Sequence, residues 1–342
     1  MSKANRITAN IADLAHHPSV SAPDLADLTE YYDRRFSGEY CKKHHDRHNE
    51  QLQTMLECVP RTLSCAKVLD YGCGAGGCTE LLKEFFPESE IHGIDISNEA
   101  IRTAQTRYPD CYFAGFDGAL ASYPGESFDL IFSSHVLEHV LDLEKSIFDM
   151  ARMVRKGGCV CITLPCANEG SLEWKLTTLM RDGCIESPTG EEKWCWEDPS
   201  HLRRMKSRDL VALFSRHDLR LQTSFFGNQF WGGVEGVCAC GPGMVLKWLQ
   251  VSRGKSVKAK ATLAISKTLL LLTSPVFLAN MDLRRKAQGF SGLKKTAAYA
   301  AIPVRWIYLP LAKLLKSLAD HEWVATRAES TGASQFLVFQ KV

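Results

Sequence analysis

The chain has 342 residues, 45% hydrophobic and 23% charged, with 24 glycines and 13 prolines; these proportions exclude disorder over most of its length. Its net charge is only +2, and no charge-free run exceeds 14 residues, short of the ~18 to 20 that a membrane-spanning helix needs. Thirteen cysteines without a Cys-x-x-Cys pair read as reduced thiols rather than a disulfide framework, and with no apolar signal core at the N-terminus the expected location is the cytosol.

In chain order, residues 1–28 mix small and polar residues with Pro18 and Pro23 and read as a mobile leader. Residues 29–65 are expected to form an N-terminal helical lid. Short apolar runs then alternate with helical stretches, which predicts a parallel sheet wrapped by helices. The expected strands are 67–70, 91–94, 111–113, 129–132 and 159–164, and the expected helices 77–86, 98–107 and 143–155, the last ended by Lys156-Gly157-Gly158. An amphipathic helix over 207–217, a strand over 220–226 and a closing strand over 335–339 complete the pattern. The core is therefore expected over 66–226 and 334–342, interrupted at about 166–206 and, more extensively, at 227–333.

The run Val68-Leu69-Asp70-Tyr71-Gly72-Cys73-Gly74-Ala75-Gly76-Gly77 is an apolar strand ending in an acid, then a glycine-rich turn into a helix. Glycines allow close backbone approach to a ligand beside a helix N-terminus. Gly72, Gly74 and Gly77 also satisfy the dinucleotide pattern, so the glycines alone do not choose a ligand. Asp70 does, because it would repel a pyrophosphate and attract an ammonium. Asp95 ends the second strand, placed for ribose hydroxyls, and Asp117-Gly118 follows the third, placed for an adenine amino group. Three acids at successive strand ends describe a site for a cationic ligand containing adenosine; taken singly, each could equally cap a helix.

On these residues the chain resembles the class I S-adenosylmethionine-dependent methyltransferases, particularly the branch that includes quinone-biosynthesis enzymes. The matching segments are 68–77, 93–97 with Asp95, 116–120 with Asp117, 127–140, the Lys156-Gly157-Gly158 turn and His201-Leu202-Arg203. The resemblance implies a Rossmann-like, doubly wound α/β sheet of seven strands, the last antiparallel, with a large helical insertion before that strand. It also implies S-adenosylmethionine as cofactor, held by Asp70, Tyr71, Gly72, Cys73, Gly74, Gly76, Asp95, Ile96, Asp117, Gly118, Ser133 and Ser134.

Methyl transfer is an in-line displacement that needs alignment and dryness, and a base only when the acceptor must lose a proton. The candidates are His135, Glu138, His139 and His201. Related quinone O-methyltransferases carry Glu-x-x-Glu-His at this place, which can hold a divalent metal. Here His135 replaces the first Glu, so a metal-free site with Glu138 and His139 in structural hydrogen bonds is favoured. His201 reads equally as a base or as a holder of the 166–206 segment. The tract Cys41, His44, His45, Asp46, His48 fits no tetrahedral spacing and is expected to be a solvated helix face. Tyr31, Tyr32 and Arg35 either cover the cofactor or pack on the core.

Residues 241–319 contain 14 Lys or Arg and a single acid, Asp282, interleaved with aromatic and aliphatic residues. That combination favours peripheral attachment to an anionic membrane surface, with Pro275, Pro303 and Pro310 breaking the apolar stretches into short interfacial helices. A helical substrate cap is the competing reading, and a nucleic-acid partner is disfavoured for want of a recognisable module. The function expected is O-methylation of a lipid-like or membrane-associated acceptor at the inner face of a membrane. The alternatives are methylation of a soluble small molecule or sugar, and a non-catalytic cofactor-binding module.

Overall fold

The computed structural model describes residues 25–37, 46–60, 67–116, 123–181, 194–195, 198, 200–279 and 292–342. Most of the expected leader, and the site candidates Cys41, His44, His45, Asp117 and Gly118, lie outside them. Seven strands form one sheet: β1 (Lys67–Tyr71), β2 (Glu90–Asp95), β3 (Tyr112–Gly115), β4 (Phe128–Ser134), β5 (Val154–Pro165), β6 (Leu219–Gly227) and β7 (Ser334–Lys341), in the order β3-β2-β1-β4-β5-β7-β6. β1 to β5 pair in parallel, while β7 runs antiparallel between β5 and β6. The last strand thus returns to the sheet antiparallel, as expected.

Side-chain alternation along the strands divides the core between the two faces. On one face Leu69, Tyr71, Leu337 and Phe339 pack with Ile147 and Met150 of α5 (Leu143–Met153) and Leu210 and Phe214 of α7 (Ser207–Ser215). On the other, Val68, Phe336 and Val338 meet Leu52 and Met55 of α2 (Asp46–Leu56) and Leu81 and Leu82 of α3 (Thr79–Phe85). The remaining helices of this half are α1 (Leu25–Ser37) and α4 (Asn98–Arg107). Among the described residues the cysteines form no disulfide, and those of β5 are fully buried.

Two expectations are corrected. The helix placed over 143–155 stops at Met153 and the strand begins at Val154, running through Lys156-Gly157-Gly158. Gly157 takes φ +77 and the pairing of β4 with β5 shifts register there, so the glycines absorb a bulge instead of ending a helix. Pro275 stands in the 3-10 helix Ser274–Leu278, directly where the helix Val257–Thr273 ends, but the other two prolines do not break the insertion into short helices: α11 (Gly292–Thr326) runs through both Pro303 and Pro310. These two are exposed and seven residues apart, two turns along one helix face, so both missing N–H groups fall on the outer side.

The insertion carries an apolar core of its own. Leu172 and Leu176 of α6 (Leu172–Met180) pack with Val234, Val237 and Cys238 of α8 (Trp231–Cys240) and Val245 of α9 (Pro242–Trp248). Leu263 and Leu270 of α10 (Val257–Thr273) and Leu315 of α11 complete the cluster. The two interruptions of the core therefore pack together.

Candidate active site

A cavity of about 960 Å³ opens above the C-terminal ends of β1, β2 and β4, at the large end of the roughly 300–1,000 Å³ range of small-molecule sites. This is where an open α/β sheet changes strand order and takes its ligands. The turn after β1 forms its floor: Gly72 and Cys73 both donate their N–H to the carbonyl of Ile94 (2.8 and 3.0 Å). Gly72 has φ +78, and a Cβ there would lie 2.2 Å from Cγ2 of Val136, so only glycine fits. Gly72, Gly74 and Gly76 take positive φ, which makes Gly76, not Gly77, the third special position of the turn.

Asp70 and Asp95 are both buried on this floor. Burial, the nearby Asp95 charge and a weak bond from Thr79 Oγ1 (3.4 Å) leave the Asp70 carboxyl raised to about 7. Burial also raises Asp95, to about 6, although its Oδ1 accepts the Ser97 N–H and its Oδ2 the Gly74 N–H, each at 2.8 Å. Among the described residues neither acid pairs with a Lys or Arg. Two buried carboxylates without a cation favour a ligand that brings positive charge. These residues thus fit S-adenosylmethionine, whose ammonium and sulfonium supply it.

α1 forms a wall: Leu25, Leu28, Tyr32, Arg35 and Phe36, one helix face, all line the cavity. Asp33 Oδ1 anchors it to the start of α4 by accepting from Ser97 Oγ (2.7 Å) and the Glu99 N–H (3.0 Å). Arg35 grips Asp198 through two bonds (3.1 and 2.6 Å) and donates to Ser200 Oγ at 2.9 Å. Tyr31 stays off the cavity wall and accepts from Arg35.

The far wall carries the histidines. His135, at φ +55, directly follows β4 and lines the cavity with His139 and Ser134. A non-glycine residue held in that region is a strained position of the kind found at functional sites. His135 Nδ1 lies 3.0 Å from Oε1 of Glu138. Burial raises the Glu138 carboxyl, but the His135 bond and the surrounding imidazoles outweigh it and bring it down to about 2. Burial lowers His139 to about 4, so its ring is neutral at neutral pH, with Nδ1 3.2 Å from the Ser200 carbonyl. Glu138 and His201 stand behind the wall; the His201 ring sits 4.8 Å from His139 and its Nε2 3.9 Å from Glu138. Ligand atoms of Glu138, His139 and His201 lie within 4.8 Å of one another, a donor set that could hold a divalent ion and that does not include His135. Leu202 donates its N–H to Glu138, and Arg203 donates to the carbonyls of Leu137 and Leu141, so 201–203 fastens this turn in place.

The cavity therefore gathers Asp70, Tyr71, Gly72, Cys73, Gly74, Asp95, Ile96, Ser134, His135 and His139. Gly76 and Ser133 are off its wall; Ser133 precedes Ser134 on β4 and points to the other face. His48 is a correction. Expected on a solvated face, it lines the cavity, with Nε2 3.3 Å from Ser134 Oγ and its ring 5.2 Å from that of His135. The signal was present as helical spacing: His48, Gln51, Leu52 and Met55 share one face of α2, and the last three are buried.

Residues 43–224 match the family model described as a methyltransferase domain. A trans-aconitate 2-methyltransferase of Rhodopseudomonas palustris (strain BisB5) is 30% identical over 153 residues, 45% of this chain and 57% of the relative. One of Variovorax paradoxus (strain S110) is 31% identical over 150 residues, 44% and 56% of the two chains. The chain thus spans little more than half the length of these relatives. The crystal structure of a SAM-dependent methyltransferase from Archaeoglobus fulgidus is 21% identical, covers 55% of this chain and 75% of that one, and superposes with a TM-score of 0.42. With more than half of its residues inside the family model, the chain belongs to the class I S-adenosylmethionine-dependent methyltransferases.

Proposed function

We propose that this protein transfers a methyl group from S-adenosylmethionine to an oxygen atom of a small, lipid-like or membrane-associated acceptor at the cytosolic face of a membrane. The observation that carries the transfer reading is the pair of buried acids, Asp70 and Asp95, beside the glycine turn, with no Lys or Arg paired to them among the described residues. When bound, S-adenosylmethionine supplies an electrophilic methyl group on a sulfonium. Asp70 holds the ammonium, and Asp95, oriented by its two backbone N–H bonds, takes the ribose hydroxyls. Tyr71, Cys73 and Ile96 wall the remainder, while α1 keeps water out.

Proton handling falls to His135. It is partly exposed, faces the cavity and is oriented at Nδ1 by Glu138, whereas His139 is held neutral with a pKa near 4, too weak a base for the task. His48, beside Ser134 and His135, orients the acceptor. Glu138 and His201 act as positioning residues.

The names of the curated relatives favour a second reading, a soluble acceptor such as trans-aconitate. Incubation with S-adenosylmethionine labelled at its methyl group, together with trans-aconitate or a total lipid extract, separates the two. Label in the organic phase supports the lipid-like acceptor. Label in trans-aconitate alone gives the second reading. Binding of S-adenosylhomocysteine without transfer to any acceptor leaves a cofactor-binding module.

A further inference from the structure

The insertion has two faces. Leu263 and Leu270 of α10 and Leu315 of α11 close its own core, yet both helices present apolar stripes on their outer sides. Ile265, Leu269 and Leu272 of α10, and Trp306 and Ile307 of α11, are each 58–73% exposed. On α11 these continue through Pro303, Pro310 and Leu314, at spacings of three and four residues that make one helix face. Large apolar side chains exposed together mark an interaction surface.

Several occupants can be compared on charge. Lys258 and Lys260 are exposed at the start of α10 and Lys313 beside the α11 stripe. The 241–319 block holds only one acid. A second copy packed two-fold on this face would set lysines against lysines. A nucleic acid would meet the cations but has no use for the aliphatic stripes. Apolar stripes flanked by lysines match the headgroup boundary of an anionic bilayer.

Length points the same way. The segment Val257–Leu278 is long and apolar enough to cross a membrane by length and composition, although the charge-free runs within it are short, and only 22% of its apolar 18-residue window is buried. Its Leu263 and Leu270 are committed to the protein core, so one side is packed and the other is left for lipid. That arrangement suits a helix lying in the interface plane.

We infer that α10 and α11 together form a docking surface for an anionic lipid bilayer. α8, which packs against α11, also lines the cavity through Gly232, Glu235 and Gly236. The proposed lipid-facing surface and part of the cavity wall thus belong to helices that pack on one another.

The test is flotation of the full chain on phosphatidylcholine vesicles with and without phosphatidylglycerol, at low and high salt. It needs no activity, so its failure leaves the methyltransferase reading standing. Flotation only with phosphatidylglycerol is expected, weakened by salt. The bound fraction should fall at least tenfold in Trp306→Ser/Ile307→Ser and in Lys258→Glu/Lys260→Glu. Unchanged S-adenosylhomocysteine affinity would show that these variants fold. Quenching of Trp306 fluorescence by brominated phosphatidylglycerol, read as wild type minus Trp306→Phe, tests the contact without a disruptive variant. Absence of flotation and quenching overturns the inference. So does salt-insensitive flotation on neutral vesicles, or a wild-type dimer that the same variants dissociate. Binding of an oligonucleotide that displaces the protein from vesicles and is lost in the lysine variant alone would assign the surface to nucleic acid instead.

Discussion

Gly74 donates its backbone N–H to Oδ2 of Asp95 across 2.8 Å, which ties the turn after β1 to the end of β2 through the carboxylate assigned to the ligand. The same acid shapes the floor and stands ready at it. Asp95→Ala would therefore loosen the turn as well as remove an acceptor, whereas Asp95→Asn keeps one oxygen acceptor and should retain more of the fold than of the affinity.

The buried acids make binding dependent on pH. Asp70 is raised from 3.8 to about 7, so the ligand-free fold holds a proton there that the unfolded chain releases. Its contribution to stability is fully present below pH 3.8 and is lost as pH rises through about 7, by up to about 4 kcal/mol if nothing else relaxes. A cationic ligand reverses this preference. The affinity for S-adenosylhomocysteine should rise by up to about tenfold per pH unit between pH 5.5 and 7, and the thermal shift on binding should grow with it. Asp70→Asn should flatten both trends and raise the Tm of the ligand-free protein at pH 8 while weakening binding. Calorimetry and thermal melts across that range read each outcome directly; an affinity independent of pH in the wild type would refute the assignment of Asp70.

At Gly72 the backbone and the space both demand glycine. With φ +78 and Val136 Cγ2 only 2.2 Å from a built Cβ, Gly72→Ala should cost about 2–4 kcal/mol, part from the left-handed conformation and part from overlap. Adding Val136→Ala should recover the overlap share but not the conformational share. Denaturant unfolding of the single and double variants separates them.

Much of this was legible because it is local in the chain. The strand–acid–glycine unit 68–77 and Asp95 at the end of β2 are set by the order of residues along short elements. The register of β5 was not, because Lys156-Gly157-Gly158 looks like a helix stop and only pairing with β4 shows that it is a bulge inside a strand. Nor was His48, whose place follows from α2 packing on β7, with the His48 ring 6.3 Å from that of Phe336, a contact 288 positions away in sequence. The continuity of α11 through two prolines depends on which face they occupy, and that is fixed by Leu315, Ala319 and Trp323 on the buried side.

Arg35 and Asp198 join α1 to the segment that follows β5. The Asp198 carboxyl would be raised by burial, but the Arg35 guanidinium and Ser200 hold it well below the usual carboxylate range. A depressed acid stabilises the fold above its unfolded value of 3.8 and loses that contribution as pH falls below it. Arg35→Ala leaves the carboxylate without its fork and should cost about 2 kcal/mol. Arg35→Lys should rescue little, since an ammonium cannot reproduce the two-point grip. With α1 loosened, KM for S-adenosylmethionine should rise several-fold, and limited proteolysis should cut within 25–37 in the variant before the wild type.

The histidine wall gives the last contrast. If His135 handles the acceptor proton, His135→Gln should lower kcat by about 10²–10⁴ with little change in the affinity for S-adenosylhomocysteine. Glu138→Gln acts only through the ring it orients at 3.0 Å, so its loss of kcat should be smaller. It should also be absent in the His135→Gln background, a coupling that two independent residues would not show. His201→Ala, behind the wall, should act as Glu138→Gln does. Chelation should leave the wild-type rate unchanged, because His135 needs no metal to accept a proton. A rate lost to chelator and restored by a divalent ion would instead give the donor set Glu138, His139 and His201 a metal, and would move the chemistry from the imidazole of His135 to that site.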